Sequence, residues 1–406
     1  MDEYVRLGDV VRIQRGTTYK SALLGLPGPI LLGLGSISRH GGFRDDSLKT
    51  YGGESPENLI VQPGAIYASL KDVTQTADVL GAVARVPLSG TRGRLTQDTV
   101  RIDIIDPRIP TDYLYWLLRT SEYRTYCRNH ATGTTTMGLP RDAFLAFSIP
   151  LPTPNRSALT QLLSALDDKI DMNRHRGDVA FQLAHSIAVE LMRASPDTAS
   201  GRAPSVFADL GQIFDGPHAT PVRRSEGPYF LNISSLKAGR LDLAESDHVS
   251  EDDFAKWTRR VTPQAEDLLF SYETRLGEAA LMPPGIRACL GRRMALLRPN
   301  RDRVDPHFLL HFYLSTEFQR MIASRTIHGA TVPRIGLATM GDWEVDIPTL
   351  QEQSRVSDQL RALHSSVVQA EREAGILART RDELLPLLMS GKIGVRSAEQ
   401  IVGEVT

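Results

Sequence analysis

The sequence predicts an α/β protein built by internal duplication. Two mixed α/β modules are separated by two long helices that pair as an antiparallel coiled coil, which makes the chain pseudo-twofold. Three observations carry this. Segments recur about 200 residues apart, apolar residues follow a 3.5-residue spacing in two long stretches, and each stretch opens after an Ile-Pro junction.

The repeat runs through the whole chain. "LGDVVRIQRG" near the start resembles "LGQIFDGPHA" from Leu210, and "PILLGLGSIS" from Pro29 resembles "PYFLNISSLK" from Pro228. "PTDYLYWLLRTSEYRTY" from Pro110 resembles "DPHFLLHFYLSTEFQRM" from Asp305, and "MGLPRDAFLAFSIP" from Met137 resembles "IGLATMGDWEVDIP" from Ile335. A solenoid would show a shorter period and more copies.

Residues 1–151 form the first module. Apolar runs between Gly- and Pro-rich turns, such as "LIVQPGAIYASL" from Leu59, read as strands, and "DYLYWLLRTSEYRTYCRN" from Asp112 reads as a helix. Residues 152–194 form the first spacer helix. Thr153-Pro154 fits an N-cap followed by proline at the first helical position. Its seam is Leu159, Leu163, Leu166, Ile170, Asn173, Gly177, Ala180, Ala184, Ile187 and Leu191.

The polar segment 195–202 is a linker. The second module, 203–348, carries the strand "DLLFSY" from Asp267 and the helix "PHFLLHFYLSTEFQRMIAS" from Pro306. The second spacer helix, 349–394, opens with "TLQE" from Thr349, a capping box. Its seam is Val356, Leu360, Leu363, Val367, Ala370, Ala374, Leu377, Arg381, Leu384 and Leu388, at a constant offset from the first. Residues 395–406 are a tail. A helix of about 40 residues spans roughly 60 Å. Asn173 is either a register-setting polar contact or a solvated gap, and the small Gly177 and Ala374 suit close backbone approach or simple tolerance.

The net charge of -1 excludes a polycation, so any nucleic-acid affinity must come from local arrangement of charge. Cys127 and Cys289 read as free thiols of a reducing compartment. No signal-peptide pattern and no run of about 18 apolar residues is present, and a cytoplasmic location without membrane association is expected. The sequence holds no GxxxxGK[ST], HExxH, CxxC or GxSxG motif. "GLGSIS" at Gly33 lacks a third glycine and reads as a turn. His40, His130, His218 and His328 are scattered, and no metal site is expected.

"LLPLLMSGKIGV" after a long helix, an Ile-Pro before each helix, and the two-copy layout resemble the specificity subunit of Type I restriction-modification systems. The resemblance implies that the modules are target recognition domains, each reading one half of a bipartite, asymmetric double-stranded DNA site. The helix pair would set their spacing and dock methyltransferase subunits, two of them, with motor-nuclease subunits joining the complex. It implies no catalysis and no cofactor on this chain; S-adenosylmethionine and ATP/Mg are expected on the partner subunits.

The repeat nominates DNA contacts. "HATGTTTMGL" from His130 aligns with "IHGATVPRIGL" from Ile327, and such loops approach DNA in the family. Thr134, Thr135, Thr331 and Arg334 can donate to phosphates or base edges. Arg39, Lys71, Arg92 and Arg94 in the first module, and Lys237, Arg275, Arg292 and Arg293 in the second, are further basic candidates. The alternatives are the specificity partner of another bipartite restriction-modification system and a coiled-coil scaffold that binds protein only. An enzyme ranks below both for want of a catalytic set.

Overall fold

The computed structural model describes residues 3–39, 41–44, 48–88, 92–134, 136–194, 205–217, 219–243, 246–329, 332–389 and 393–405. The linker 195–202, His40 and His218 lie outside them. The chain forms two compact units, one of residues 1–171 with 373–406 and one of residues 172–372. Each unit therefore holds one module and half of each long helix, a division that cuts across the boundaries expected from the sequence.

In the first unit a four-stranded antiparallel sheet runs Val11–Arg15, Thr99–Ile104, Ile66–Ser69, Val83–Arg85. A three-stranded sheet places Gly93–Leu95 between Ile30–Leu32, parallel, and Ile60–Val61, antiparallel. The run from Leu59 is thus two strands in two sheets, broken at Gly64, whose φ of 83° lies in the left-handed region. The helix expected from Asp112 is also two, Thr111–Leu117 and Ser121–Asn129. The Thr120 side chain accepts from Tyr123 N and starts the second one. Tyr4–Arg6 pairs with Ser148–Pro150, closing the module just before the first long helix.

The second unit repeats the four-stranded sheet, while its three-stranded sheet has the counterpart of Ile30–Leu32 at the centre instead of at the edge. Its sheets run Gly211–Asp215, Met294–Pro299, Leu268–Ser271, Ala279–Leu281 and Asp247–His248, Arg224–Leu231, Ala288–Leu290. Ser205–Val206 closes the module against Glu344–Val345. The helix pair Pro306–Tyr313 and Thr316–Ser324 is split by a Ser315 cap, as at Thr120.

The long helices span Pro154–Ala194 and Leu350–Met389. Thr153 Oγ1 accepts from Arg156 N at 3.3 Å, so Thr153 is the cap and the helix begins at residue 154 rather than 152. Thr349 N donates to Glu352 Oε2 at 2.7 Å and Glu352 N to Thr349 Oγ1 at 3.3 Å, the expected reciprocal box. In the second unit a Cβ on Gly177 would lie 3.6 Å from Ala370 Cβ, and the Phe181 ring is 6.0 Å from the His364 ring. Numbering rises on one helix as it falls on the other, so the pair is antiparallel.

In the first unit Leu159, Leu163, Leu166 and Ile170 are buried in one cluster with Ala374, Leu377, Leu384 and Trp116. Each such leucine is worth about 1.5–3 kcal/mol in burial. Asn173, Gly177, Ala180, Ala184, Leu360, Val367 and Ala370 are buried, while Ile187, Leu191, Val356 and Leu363 are half-buried. The side chain of Leu388 lies outside the described residues. Asn173 is no solvated gap: it is 1% exposed, and its Nδ2 finds no acceptor among the described residues. The expected tail is instead a helix, Val395–Val405, whose Ala398 is buried in the first unit's core. No helix among the described residues is long and apolar enough to cross a membrane.

Candidate nucleic-acid interface

Three segments meet at one edge of each module, and they are the same three. In the first module they are the turn Thr96–Thr99, the chain leaving the strand Ile66–Ser69, and the loop ending at Leu139. Thr99 N donates to Thr96 O at 3.2 Å, Leu70 N to Asp98 O at 3.1 Å, and Leu139 N to Leu70 O at 2.9 Å. In the second module Met294 N donates to Gly291 O at 3.2 Å, Tyr272 N to Arg293 O at 3.2 Å, and Ile335 N to Tyr272 O at 2.8 Å. These three backbone bonds therefore recur in both modules, with Leu139 in the place of Ile335, two residues beyond the Met137 that the sequence repeat sets there.

The side chains on that frame differ. Lys71 Nζ lies 3.1 Å from Asp98 Oδ1, and both side chains are partly exposed. At the matching positions Arg293 Nε lies 3.3 Å from Glu273 Oε2. The ion pair is kept with its polarity reversed. Asp72, buried in the first module, accepts from Thr74 N and Val79 N at 2.7 and 2.6 Å. In the second module Thr274 and Arg293 instead take φ of 69° and 79°, and Arg293 Nη1 donates to Thr274 Oγ1 at 3.3 Å. A side chain in that region costs about 1–2 kcal/mol. Arg293 occupies the third position of a turn where glycine is usual.

The loops carry exposed donors. Thr134 is exposed, whereas Thr135 and Thr331 lie outside the described residues. Arg334 is exposed and bridges the backbone of Glu273, and Thr274 N donates to Pro333 O at 3.1 Å. Arg292 and Arg39 are exposed. Arg92 faces solvent beside Glu57 at 2.6 Å. Lys237 stands 3.9 Å from Asp242. Arg275 bonds Ile233 O and Glu278 at 3.1 and 3.0 Å.

Arg94 departs from the expectation. It is 4% exposed, donates to Glu54 O, Leu95 O, Thr17 Oγ1 and Thr18 O, and covers the Tyr51 ring at 4.8 Å. It faces inward as a loop tie, because its strand lies at the centre of the three-stranded sheet. Spacing in the sequence nominated Lys71, Arg293 and Arg334 but missed Asp98 and Glu273. The cue available was the aligned pair of turns "TQDT" and "GRRM", where an acidic residue faces a basic one.

The modules grip the helices through different chemistry. In the first unit Asp167 of the first long helix pairs with Arg381 of the second, with Arg119 Nη1 at 3.5 Å. Trp116 Nε1 donates to Ser164 Oγ at 2.9 Å. In the second unit, His311 takes the place of Trp116 in the repeat. His311 Nε2 lies 2.9 Å from His364 Nε2, His185 Nδ1 lies 3.4 Å from His311 Nδ1, and the His307 and His364 rings are 4.9 Å apart. Burial lowers all four from the usual imidazole range, His364 to about 3. Arg240 pairs with Asp178 and Glu371 from the two helices and covers the Phe181 ring at 5.4 Å. Burial raises the Glu371 carboxyl to about 7, against the pull of Arg240.

Burial also pushes the free thiols of Cys127 and Cys289 up to about 11 and about 12, which leaves them poor nucleophiles. Among the described residues no three His, Cys, Asp or Glu side chains are arranged to hold a metal ion.

No family model matches the chain. Three curated proteins of Methanocaldococcus jannaschii are similar to it. The type I restriction enzyme MjaVIII specificity subunit is 19% identical over 326 residues, 76% of each chain. The MjaIX specificity subunit is 19% identical over 339 residues, 77% of this chain and 75% of that one. The MjaX specificity subunit is 23% identical over 134 residues, 32% of this chain and 30% of that protein. A crystal structure of the S subunit of a Type-I restriction-modification system from M. genitalium superposes with a TM-score of 0.55 at 13% identity, covering 95% of each chain, and shares the fold. Two of these specificity subunits are thus similar to the chain over three quarters of their length, and the M. genitalium S subunit has the same fold.

Proposed function

We propose that this chain is the DNA-recognition subunit of a Type I restriction-modification complex, each module reading one half of a bipartite, asymmetric site. The observation that carries the reading is the duplicated frame with non-duplicated side chains: one backbone scaffold presents Lys71 and Asp98 in one module and Glu273 and Arg293 in the other. A common scaffold gives both modules one way of approaching a duplex, and different side chains give different half-sequences. The helix pair sets the gap between the half-sites. Half-sites about one helical turn apart, ~34 Å, present the same face of the duplex.

The chain acts without catalysing a reaction. S-adenosylmethionine belongs to methyltransferase subunits, two per chain, and ATP/Mg to motor-nuclease subunits. Met172, Val179 and Leu183 support docking of a partner helix: they lie on one face of the first long helix and are 63%, 50% and 50% exposed. The test is to express the chain with its methyltransferase partner and map modified bases across the host genome. One bipartite motif with a fixed unread gap and two unlike halves is expected. Methylation at a single continuous motif, or none that depends on this chain, would overturn the reading.

A further inference from the structure

We propose that Arg293 in the second module and Asp98 in the first are the matching base-reading positions, and that their opposite charge makes the two half-sites differ. This rests on the DNA-recognition reading above. Both residues sit third in equivalent four-residue turns, fixed by the same three backbone hydrogen bonds. Each faces the opposite charge on the neighbouring segment, Lys71 or Glu273, at 3.1 and 3.3 Å.

Two features separate Arg293 from a plain structural tie. Its φ of 79° is one that glycine adopts without strain and that Asp98 in the matching turn does not take, so this turn by itself favours glycine. Strain is kept where a side chain is needed. Its Nε, moreover, is buried and finds no hydrogen-bond acceptor among the described residues: the Glu273 carboxylate is close but not aligned. Glu273 is thus a positioning residue that holds the guanidinium at the turn without saturating it.

The chemistry of the partner follows. A guanidinium in the major groove pairs with the O6 and N7 acceptors of guanine, and a carboxylate accepts from the N4 amino group of cytosine. Arg293 therefore reads a guanine in one half-site, and Asp98 reads a cytosine in the other. Lys71 is the positioning residue for Asp98, as Glu273 is for Arg293.

The experiment uses the chain assembled with its methyltransferase partner. Arg293→Gly relieves the backbone strain, so the variant folds with its unfolding temperature kept or raised. Genome-wide mapping of modified bases is expected to show one guanine of one half-site relaxed, with discrimination there falling about 10- to 100-fold. The other half-site and the gap stay as they were. Asp98→Ala is expected to relax one cytosine of the opposite half-site. A motif unchanged at every base in Arg293→Gly overturns the proposal, and so does a uniform loss of methylation at all sites, which marks a phosphate contact. A wild-type complex with no bipartite motif removes the underlying reading itself, and is seen before any variant is made.

Discussion

A methyl group on Gly177 would meet Ala370 Cβ at 3.6 Å and Arg240 Nη1 at 3.7 Å, ordinary contact distances. Glycine in a helix interior costs about 1 kcal/mol relative to alanine. Gly177→Ala is therefore expected to raise stability by up to about 1 kcal/mol, read from chemical denaturation of the chain. Gly177→Leu is expected to lower it by about 1–3 kcal/mol, because the larger group must displace Arg240 from Asp178 and Glu371. Equal effects of the two substitutions would contradict this seating. The sequence marks Gly177 as a weak point of the seam; the structure fills that point with an arginine from the second module. Such partners are far apart along the chain, so periodicity alone does not find them. The same holds for Arg94, whose basic character suggested DNA while its position on a central strand turned it inward. Residues whose role is local were legible: the caps Thr153 and Thr349, and the apolar seam positions.

At the scale of elements, the histidines between the helix Pro306–Tyr313 and the long helices are expected to make the second unit acid-sensitive. Burial, then the other imidazoles, hold His311 well below 6.5, and His364 falls to about 3. For His307, Asp305 and Glu266 oppose the lowering, while Arg361 and Arg301 add to it. An unfolded histidine titrates near 6.5, so between about pH 3 and 6.5 the unfolded chain binds more protons. The neutral cluster's stability is fully present above about 6.5 and is lost as pH falls below it. Glu371 acts in the opposite sense: raised to about 7, it weakens the fold as pH rises from its unfolded value, about 4.3, toward 7. The two must be separated by substitution. His364→Leu should gain stability relative to the parent as pH drops from 7 to 5, measured by thermal unfolding. A difference between the two proteins that is constant with pH would contradict the neutral cluster. This cluster was not legible because His185 and His364 stand far along the chain from the i, i+4 pair His307 and His311, and such a pair alone does not tell what faces it. The broken helix at Thr120 was closer to legible, since "TSEY" and "STEF" both carry capping residues within an apolar run.

For the molecule as a whole, the duplication was readable because matched segments lie at nearly constant spacing and the heptad seams stay in register. The division into units was not, because it depends on which half of each helix packs on which module: Trp116 on Ser164 in one unit, His311 on His364 in the other. That division marks where the two long helices can be lengthened between the units' own residues. The central claim is that the helix pair sets the gap between two independently read half-sites. One heptad inserted into each long helix, between Asp171 and Met172 and between Arg372 and Glu373, leaves each unit's own contacts in place. A seven-residue step preserves the 3.5-residue seam and adds about 10 Å of helix, close to three base pairs at about 3.4 Å each. Mapping modified bases in cells that carry the double insertion with the methyltransferase partner gives the answer. The account predicts the same two half-sequences separated by a gap about three base pairs longer. Changed half-sequences around an unchanged gap would contradict it.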